Sequence, residues 1–471
     1  MKVIIVGAGN VGMASAEAAS RNNDVLMIDK DPVRAEAAKN TLPVSVLKED
    51  GSNPKILKEA IERTKADVIL SSVPDDAINL FICVAAKNIK PDIRTIACIR
   101  NPDYMTVEMK SVDLLVSPES ITAEKIIKMA TLENATTFDR LSIKGMCVVT
   151  FRIENGQKVI GKTVIDMDIP EGCTIVAIYR GEETILDVAA TELRNNDRLC
   201  VMGTDEGIQK FNDAIGVKKD IREIVILGAG QSGIEIGKTL CSSPEKYFVK
   251  MIDDDLARCR EASKVLKEAI VVNGPIVDPL FLRSESVDRA DVIISVSPMD
   301  ERNLLACMTA LRFGTRKIVS RYSMEEYEEI FKYAGIESVV GYHRVIVNEI
   351  SRAAVIAIDD RSNGFIRMER PNDFLFGIDV KPGIPICGMM LGDIKVPEGV
   401  RLTAVIRDGK VFYPNLTTKF QEGDQVMVYT HMADPIKLSA LLGNQIPELR
   451  RCFYPPSEEG SNTWRGGKAG P

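Results

Sequence analysis

The chain has 471 residues, 45% of them apolar and 27% charged. At roughly 150 residues per domain this is material for about three domains with real cores. Lysine and arginine total 60 against 67 aspartate and glutamate, a formal net charge of −7. That balance excludes a protein that coats nucleic acid, which needs a basic footprint.

The first predicted strand is Val3–Val6, followed by Gly7-Ala8-Gly9-Asn10-Val11-Gly12 and a helix over Met13–Ser20. A strand, a GxGxxG loop and a helix in that order form the context of a dinucleotide-binding turn. Gly7 permits the tight turn, Gly9 lets backbone approach a pyrophosphate, and Gly12 lets helix and strand pack closely. The helix N-terminus offers free N–H groups and a positive dipole end to phosphate. The second strand, Val25–Ile28, ends in Asp29, an acceptor for ribose hydroxyls. An aspartate there repels a 2′-phosphate and favours NAD over NADP, while Lys30 and Arg34 keep NADP open.

A helix over Pro32–Asn40 and a strand over Val44–Leu47 come next. Asp50-Gly51-Ser52 follows, and is either a turn beside an adenine ring or a plain turn capping the helix Pro54–Arg63. Strand Val68–Leu70 leads into Ser71, Ser72, Val73 and Pro74, small residues that leave room for a ligand; Asp75 or Asp76 reads as a helix cap. Strand Thr95–Ile99 ends at Arg100, which is either a phosphate ligand or a surface cation. Strand Leu114–Val116 closes the series. Alternating β and α at this spacing predicts a parallel, doubly wound sheet. Ser117–Met129 reads as a connecting helix with Ser120 as its N-cap. Residues 140–210 carry short strands and few helices, a small α+β lobe.

The whole pattern then repeats. KVIIVGAGNVG (2–12) returns as EIVILGAGQSG (223–233), so Gly7 recurs as Gly228, 221 residues on. ADVILSSVPDDAINL (66–80) returns as ADVIISVSPMDERNL (290–304), and the Pro-Glu-Gly turns at 170–172 and 397–399 and the aspartates Asp197 and Asp424 also pair. The second repeat supplies Gly228, Ala229, Gly230, Gln231, Ser232 and Gly233, with Asp253 ending its second strand and Arg321 assigned to the place of Arg100. Its third-strand turn is Asn273-Gly274-Pro275, and the proline removes a backbone donor. The second site is therefore expected to be weaker or different in preference. Val345–Ile358 is the second connecting helix.

The expected divisions are 1–130, 131–217, 218–355 and 356–446, with a partly disordered Gly/Ser/Pro-rich tail over 447–471. The fold class is α/β: two Rossmann-like doubly wound parallel sheets, each followed by a small α+β lobe.

The longest wholly apolar run is Leu80–Ala86, whereas a membrane span needs about 20 residues. Gly7 ends the first apolar run too early for a signal peptide. A cytoplasmic location is expected. The ten cysteines include no CxxC pair and read as reduced, buried hydrophobes. With only His343 and His431, neither a zinc cluster nor a histidine-based reaction centre is supplied. No catalytic residue and no metal site is assigned.

KVIIVGAGNVG, the DGSNP turn, PDYM after IACIR, SPESITAEKI and the paired PEG…D landmarks together resemble the TrkA-type family of tandem RCK (regulator of potassium conductance) proteins, over about residues 1–445. The resemblance implies a peripheral cytoplasmic regulator that binds NAD(H), and ATP or ADP. It also implies association into a ring of N-lobes beneath a separately encoded Trk-type potassium pore. The family's cofactor positions fall on Gly7 to Val11, Asp29, Gly51-Ser52, Val73-Pro74 and the end of strand five. There Cys98 stands where members often carry a basic residue, leaving Arg100 as the cation. An NAD-dependent oxidoreductase with duplicated cofactor modules, and a regulator of another cation channel or antiporter, are the competing readings.

Overall fold

The computed structural model describes residues 1–20, 23–101, 104–105, 109–141, 145–216, 221–345, 363–368, 370, 373–408, 410–432 and 434–442, apart from the side chains of 363–367 and 435. The chain divides into two units, 1–359 and 360–471. The expected helix beyond Val345, the tail and Cys452 lie outside the described residues.

The first sheet contains β1 (Lys2–Val6), β2 (Asp24–Ile28), β3 (Ser45–Leu47), β4 (Val68–Ser71), β5 (Arg94–Cys98) and β6 (Leu114–Val116) in the order β3-β2-β1-β4-β5-β6. All neighbours are parallel. Val3 to Val6 and all of Val68–Ser71 are buried, as strands covered by helices on both faces must be. The order reverses direction between β1 and β4, so the ends of those two strands frame the crevice where doubly wound sheets bind ligands.

The intervening helices are α1 (Asn10–Ser20), α2 (Pro32–Thr41), α3 (Pro54–Thr64) and α4 (Asp76–Ile89). Their starts follow capping chemistry. Asp31, Asn53 and Asp75 accept from the first free N–H groups, and Pro32 and Pro54 occupy first-turn positions where no N–H is needed. Helix α5 (Pro118–Thr131) is capped by Ser117, which accepts from Ser120 N. Ser120 is therefore inside the helix and not its cap, because Pro118 already sets the helical φ at N1.

The lobe that follows is antiparallel. Its strands β7 (Ala135–Arg140), β8 (Met146–Arg152), β9 (Cys173–Arg180), β10 (Glu183–Ile185) and β11 (Arg198–Thr204) lie in the order β10-β9-β11-β8-β7, closed by α6 (Asp205–Ile215). Asp197 is buried and accepts from Arg180 Nε (2.8 Å), Arg180 Nη2 (2.7 Å) and Arg194 N (2.8 Å). This fork pins the β9–β11 corner.

The second repeat builds the same sheet from β12 (Glu223–Leu227), β13 (Phe248–Asp253), β14 (Ile270–Asn273), β15 (Val292–Ser295), β16 (Lys317–Tyr322) and β17 (Ser338–Gly341), ordered β14-β13-β12-β15-β16-β17. Its helices are α7 (Gln231–Cys241), α8 (Leu256–Val265), α9 (Pro279–Ser284), α10 (Asp300–Phe313) and α11 (Glu326–Tyr333). One continuous core runs from α5 through the antiparallel lobe into this sheet, including Ile126, Phe151, Phe211, Ile226 and Val319. Helix α5 packs on α7. Helix α5 is thus engaged within its own chain.

The unit 360–471 contains β18 (Asn363–Arg367), β19 (Asp373–Asp379), β20 (Val400–Arg407), β21 (Lys410–Phe412), β22 (Gln425–His431) and α12 (Pro435–Leu442), with strand order β18-β19-β22-β20-β21. This repeats the first lobe's topology. Asp424 forks Arg407 as Asp197 forks Arg180, at 2.6 and 2.7 Å.

Burial pushes the thiols of Cys83, Cys98, Cys147 and Cys307 up to about 12, so they stay protonated and inert. Burial also lowers Lys317 to about 8; its Nζ donates to Ala135 O, where the first antiparallel lobe meets β16. Below about pH 8 this lysine is charged in both folded and unfolded states, and its burial costs stability. Between about pH 8 and pH 10.5 the folded state sheds the proton first, so stability rises with pH. Lys317→Met is expected to flatten that part of the stability–pH curve, read as denaturation midpoints at several pH values. Equal slopes in both proteins would refute the assignment.

Candidate nucleotide site

The first crevice is built around the β1–α1 turn. Gly7 has φ +103°, and a Cβ there would lie 3.0 Å from the Ser72 carbonyl group. Only glycine satisfies both demands. A Cβ on Gly12 would lie 1.8 Å from Gly7 O, so α1 sits directly on the turn. At Gly9 a Cβ meets nothing within 4 Å. Two glycines are thus required by packing, whereas the third faces open space at the helix N-terminus.

Asp29 is buried at the end of β2, and its Oδ2 accepts from Ala8 N at 2.6 Å while Oδ1 accepts from Asp31 N at 2.8 Å. Each oxygen retains acceptor capacity for a ribose hydroxyl. Asp50 accepts from Ser52 Oγ (2.6 Å) and Ser52 N (2.9 Å), and those bonds, with Lys30 nearby, hold its carboxyl below the usual range. Helix α3 is capped by Asn53 and not by this turn. Gly51 is buried, and its Cβ would strike Val6 Cγ1 at 2.4 Å. The Asp50-Gly51-Ser52 turn therefore sits against the end of β1, beside Asp29's strand. Ser72 Oγ lies 3.2 Å from Val6 O and 3.3 Å from Gly7 O. The turn residues Gly7 to Gly12, Asp29, Gly51 and Ser72 to Pro74 are thereby brought to one end of the sheet, with Asn10 and Pro74 exposed.

One organising residue escaped the sequence reading. Asn79 is wholly buried; its Oδ1 accepts from Val73 N (2.8 Å) and Ser71 Oγ (2.7 Å), and its Nδ2 donates to Val73 O (2.8 Å) and Cys98 O (2.9 Å). Asn303 repeats this with Ser297 N, Ser295 Oγ, Ser297 O and Arg321 O. Asp76 likewise accepts from Arg100 N and Asn101 N, as Asp300 does from Ser323 N and Met324 N. The signal was present in the aligned DDAINL and MDERNL.

These bonds correct the pairing of the two arginines. Ser71 pairs with Ala97 in register, and Ser295 with Ser320. Arg321 is therefore the counterpart of Cys98, and Arg100 that of Ser323. The offset has grown from 221 at the glycine turn to 223 at this strand, so carrying the turn's offset forward misplaced Arg321. Arg100 is exposed.

In the second crevice, Gly228 has φ +120°, a Cβ on Gly233 would lie 2.0 Å from Gly228 O, and Gly230 again faces open space. Asp253 accepts from Ala229 N at 2.7 Å. A cavity of about 340 Å³ is lined by Asp253, Asp254, Arg258, Ser297, Pro298 and Arg302. Arg302 crosses it to Asp254 at 2.5 Å and holds that carboxyl below its usual range. A Cβ on Gly274 would strike the Phe281 ring at 2.0 Å, so the Asn273-Gly274-Pro275 turn is packed differently from Asp50-Gly51-Ser52. Gln231 is exposed. Ser232 and Arg321 are bonded to each other at 2.7 Å.

The TrkA-N domain model matches residues 3–118 and 224–342, and the TrkA-C domain model matches 148–216 and 375–443. The chain belongs to the TrkA family. Among TrkA relatives, the Trk system potassium uptake protein TrkA homolog 1 of Methanosarcina mazei is 28% identical over 442 residues, covering 91% of this chain and 97% of that protein. A second M. mazei sequence named trkA homolog 1 is 30% identical over 362 residues, covering 74% of this chain and 88% of its own.

The solved GsuK RCK domain superposes with a TM-score of 0.62 at 17% identity, covering 93% of each chain. The GsuK channel bound to NAD also gives 0.62 at 17%, over 93% of this chain and 78% of that one. GsuK bound to ADP gives 0.50 at 15%, over 76% and 69%. At those identities the likeness establishes the fold alone: two Rossmann-like sheets, each followed in the chain by a small antiparallel sheet.

Proposed function

We propose that the chain is a nucleotide-sensing regulatory subunit of a Trk-type potassium uptake system, lying at the cytoplasmic face of the membrane and gating a separately encoded pore. NAD(H) is the ligand proposed for the first crevice, with ATP or ADP as further ligands. The carrying observation is the division of labour in the turn: Gly7 and Gly12 are fixed by packing, while Gly9 leaves the helix N-terminus open above a buried acid. The names of the relatives and the NAD- and ADP-bound neighbours support the reading. It assigns no catalytic residue. Among the described residues no helix is long and apolar enough to cross a membrane.

Gating requires a ligand to favour one state of the protein. Swinging a two-state equilibrium from 1:99 to 99:1 takes about 5.5 kcal/mol of differential affinity, which several sites in an oligomer supply together. Matched apolar positions on α4 (Phe81, Val84) and α10 (Leu305, Met308) are exposed, a face suited to association of N-lobes.

Potassium flux through the reconstituted transporter, with and without this protein and each nucleotide, tests the reading; flux indifferent to every nucleotide refutes it. Asp29→Ala removes the ribose acceptor and leaves Ala8 N without its partner. Affinity at the first crevice is expected to fall roughly 100-fold, since hydrogen bonds to charged groups contribute about 1.5–3 kcal/mol. Calorimetry showing unchanged affinity removes Asp29 from the site.

A further inference from the structure

The two crevices differ most at the end of their fifth strands. The first has Cys98, a buried thiol; the second has Arg321. Arg321 is held from several sides. Its Nη1 donates to Ser232 Oγ at 2.7 Å, on the first turn of α7, and its guanidinium lies 4.6 Å from the centre of the Tyr342 ring. Ser232 Oγ donates in turn to Glu119 Oε2 at 2.5 Å, and Tyr342 Oη donates to Glu119 Oε1 at 2.8 Å. The circuit Arg321–Ser232–Glu119–Tyr342 closes on itself. Three members belong to the second repeat. Glu119 comes from α5, in the first.

The chemistry of the circuit has a direction. A serine hydroxyl has one proton. By taking it, Glu119 leaves only a lone pair for Arg321, which fixes the guanidinium over the first turn of the glycine-loop helix. The Nε of Arg321 is buried and has no partner among the described residues. A buried donor without an acceptor is costly, and the guanidinium's positive charge beside the first turn of α7 favours an anionic oxygen there. The first crevice has no equivalent device: Val11 stands in Ser232's place, Cys98 in Arg321's, Pro118 in Tyr342's and His343 in Glu119's.

We infer that Glu119 is a positioning residue for Arg321, so that the phosphate end of the second crevice is completed by the first repeat. The inference rests on the nucleotide reading above. It makes the second crevice the one suited to the more highly charged phosphate of a nucleoside diphosphate, and it ties occupancy there to the contact between α5 and α7. A loose arginine pays conformational entropy on binding; one already fixed by its neighbours does not.

The test is calorimetry of the full chain with ADP. Asp29→Ala and Asp253→Ala assign the two classes of site. Glu119→Gln is expected to weaken the Asp253-dependent class about tenfold and to leave the Asp29-dependent class unchanged. Arg321→Met weakens the same class at least as much. In the Arg321→Met background, Glu119→Gln has no further effect, because its influence passes through the arginine. Ser232→Ala, which removes only a hydroxyl, reproduces Glu119→Gln and serves should that variant fold poorly. Additive losses from Glu119→Gln and Arg321→Met, or an unaltered second class in Glu119→Gln, overturn the inference while leaving the nucleotide reading intact. Absence of ADP and NADH binding by wild type overturns both.

Discussion

Gly12→Ala is expected to abolish nucleotide binding at the first crevice and to destabilise the fold by about 3 kcal/mol, the upper end for forcing a methyl group into a packed site. The added Cβ would sit 1.8 Å from Gly7 O, a backbone atom that cannot rotate away. Helix α1 must therefore lift from the turn and carry its N–H groups with it. Gly9→Ala provides the contrast. Its Cβ meets no protein atom within 4 Å, so stability should stay within about 0.5 kcal/mol of wild type. The methyl group nevertheless projects into the space assigned to phosphate, so affinity should still collapse. Denaturant midpoints and calorimetry on both variants separate the two roles. Wild-type affinity in Gly9→Ala would show that no phosphate passes over that residue.

The comparison of repeats exposes why parts of the site were legible and others not. The strands of the first sheet fall within a residue or two of their expected positions, because β-branched runs buried on both faces announce themselves locally. The turn glycines were legible for a similar reason: their demands are met by neighbours one strand away. The counterpart of Arg321 was misread, and its contacts were not legible. Its partner in repeat one depends on how many residues the α4–β5 and α10–β16 connections contain, and its hydrogen bonds reach Ser232, 89 residues earlier. Glu119 lies 113 residues from Ser232 and 223 from Tyr342, and no periodicity links them. Their meeting follows from the packing of α5 on α7, a tertiary fact. Ser120 was misread locally, by passing over the proline at N1 that moves the cap to Ser117.

Asn79 shows how far the crevice depends on a wholly buried residue. Asn79→Leu keeps the side chain's approximate volume but removes four hydrogen bonds at once. Val73 N, Val73 O and Cys98 O lose a buried partner; the Ser71 hydroxyl can turn elsewhere. Each stranded group costs about 1–3 kcal/mol, and relaxation recovers part of it, so a loss of about 4 kcal/mol is expected in denaturant unfolding. Binding should suffer separately, because Val73 lies against the glycine turn, its N 3.2 Å from where a Gly7 Cβ would be, and Asn79 holds both the N–H and the carbonyl of Val73. Asn303→Leu should cost the second repeat a similar amount through the same four bonds. A change below about 1 kcal/mol in either variant would mean that the loops are held by the sheet itself. The asparagine recurs in two sheets whose fifth strands end so differently, in a thiol and in an arginine, so the device that shapes the crevice does not depend on the residue at that strand end.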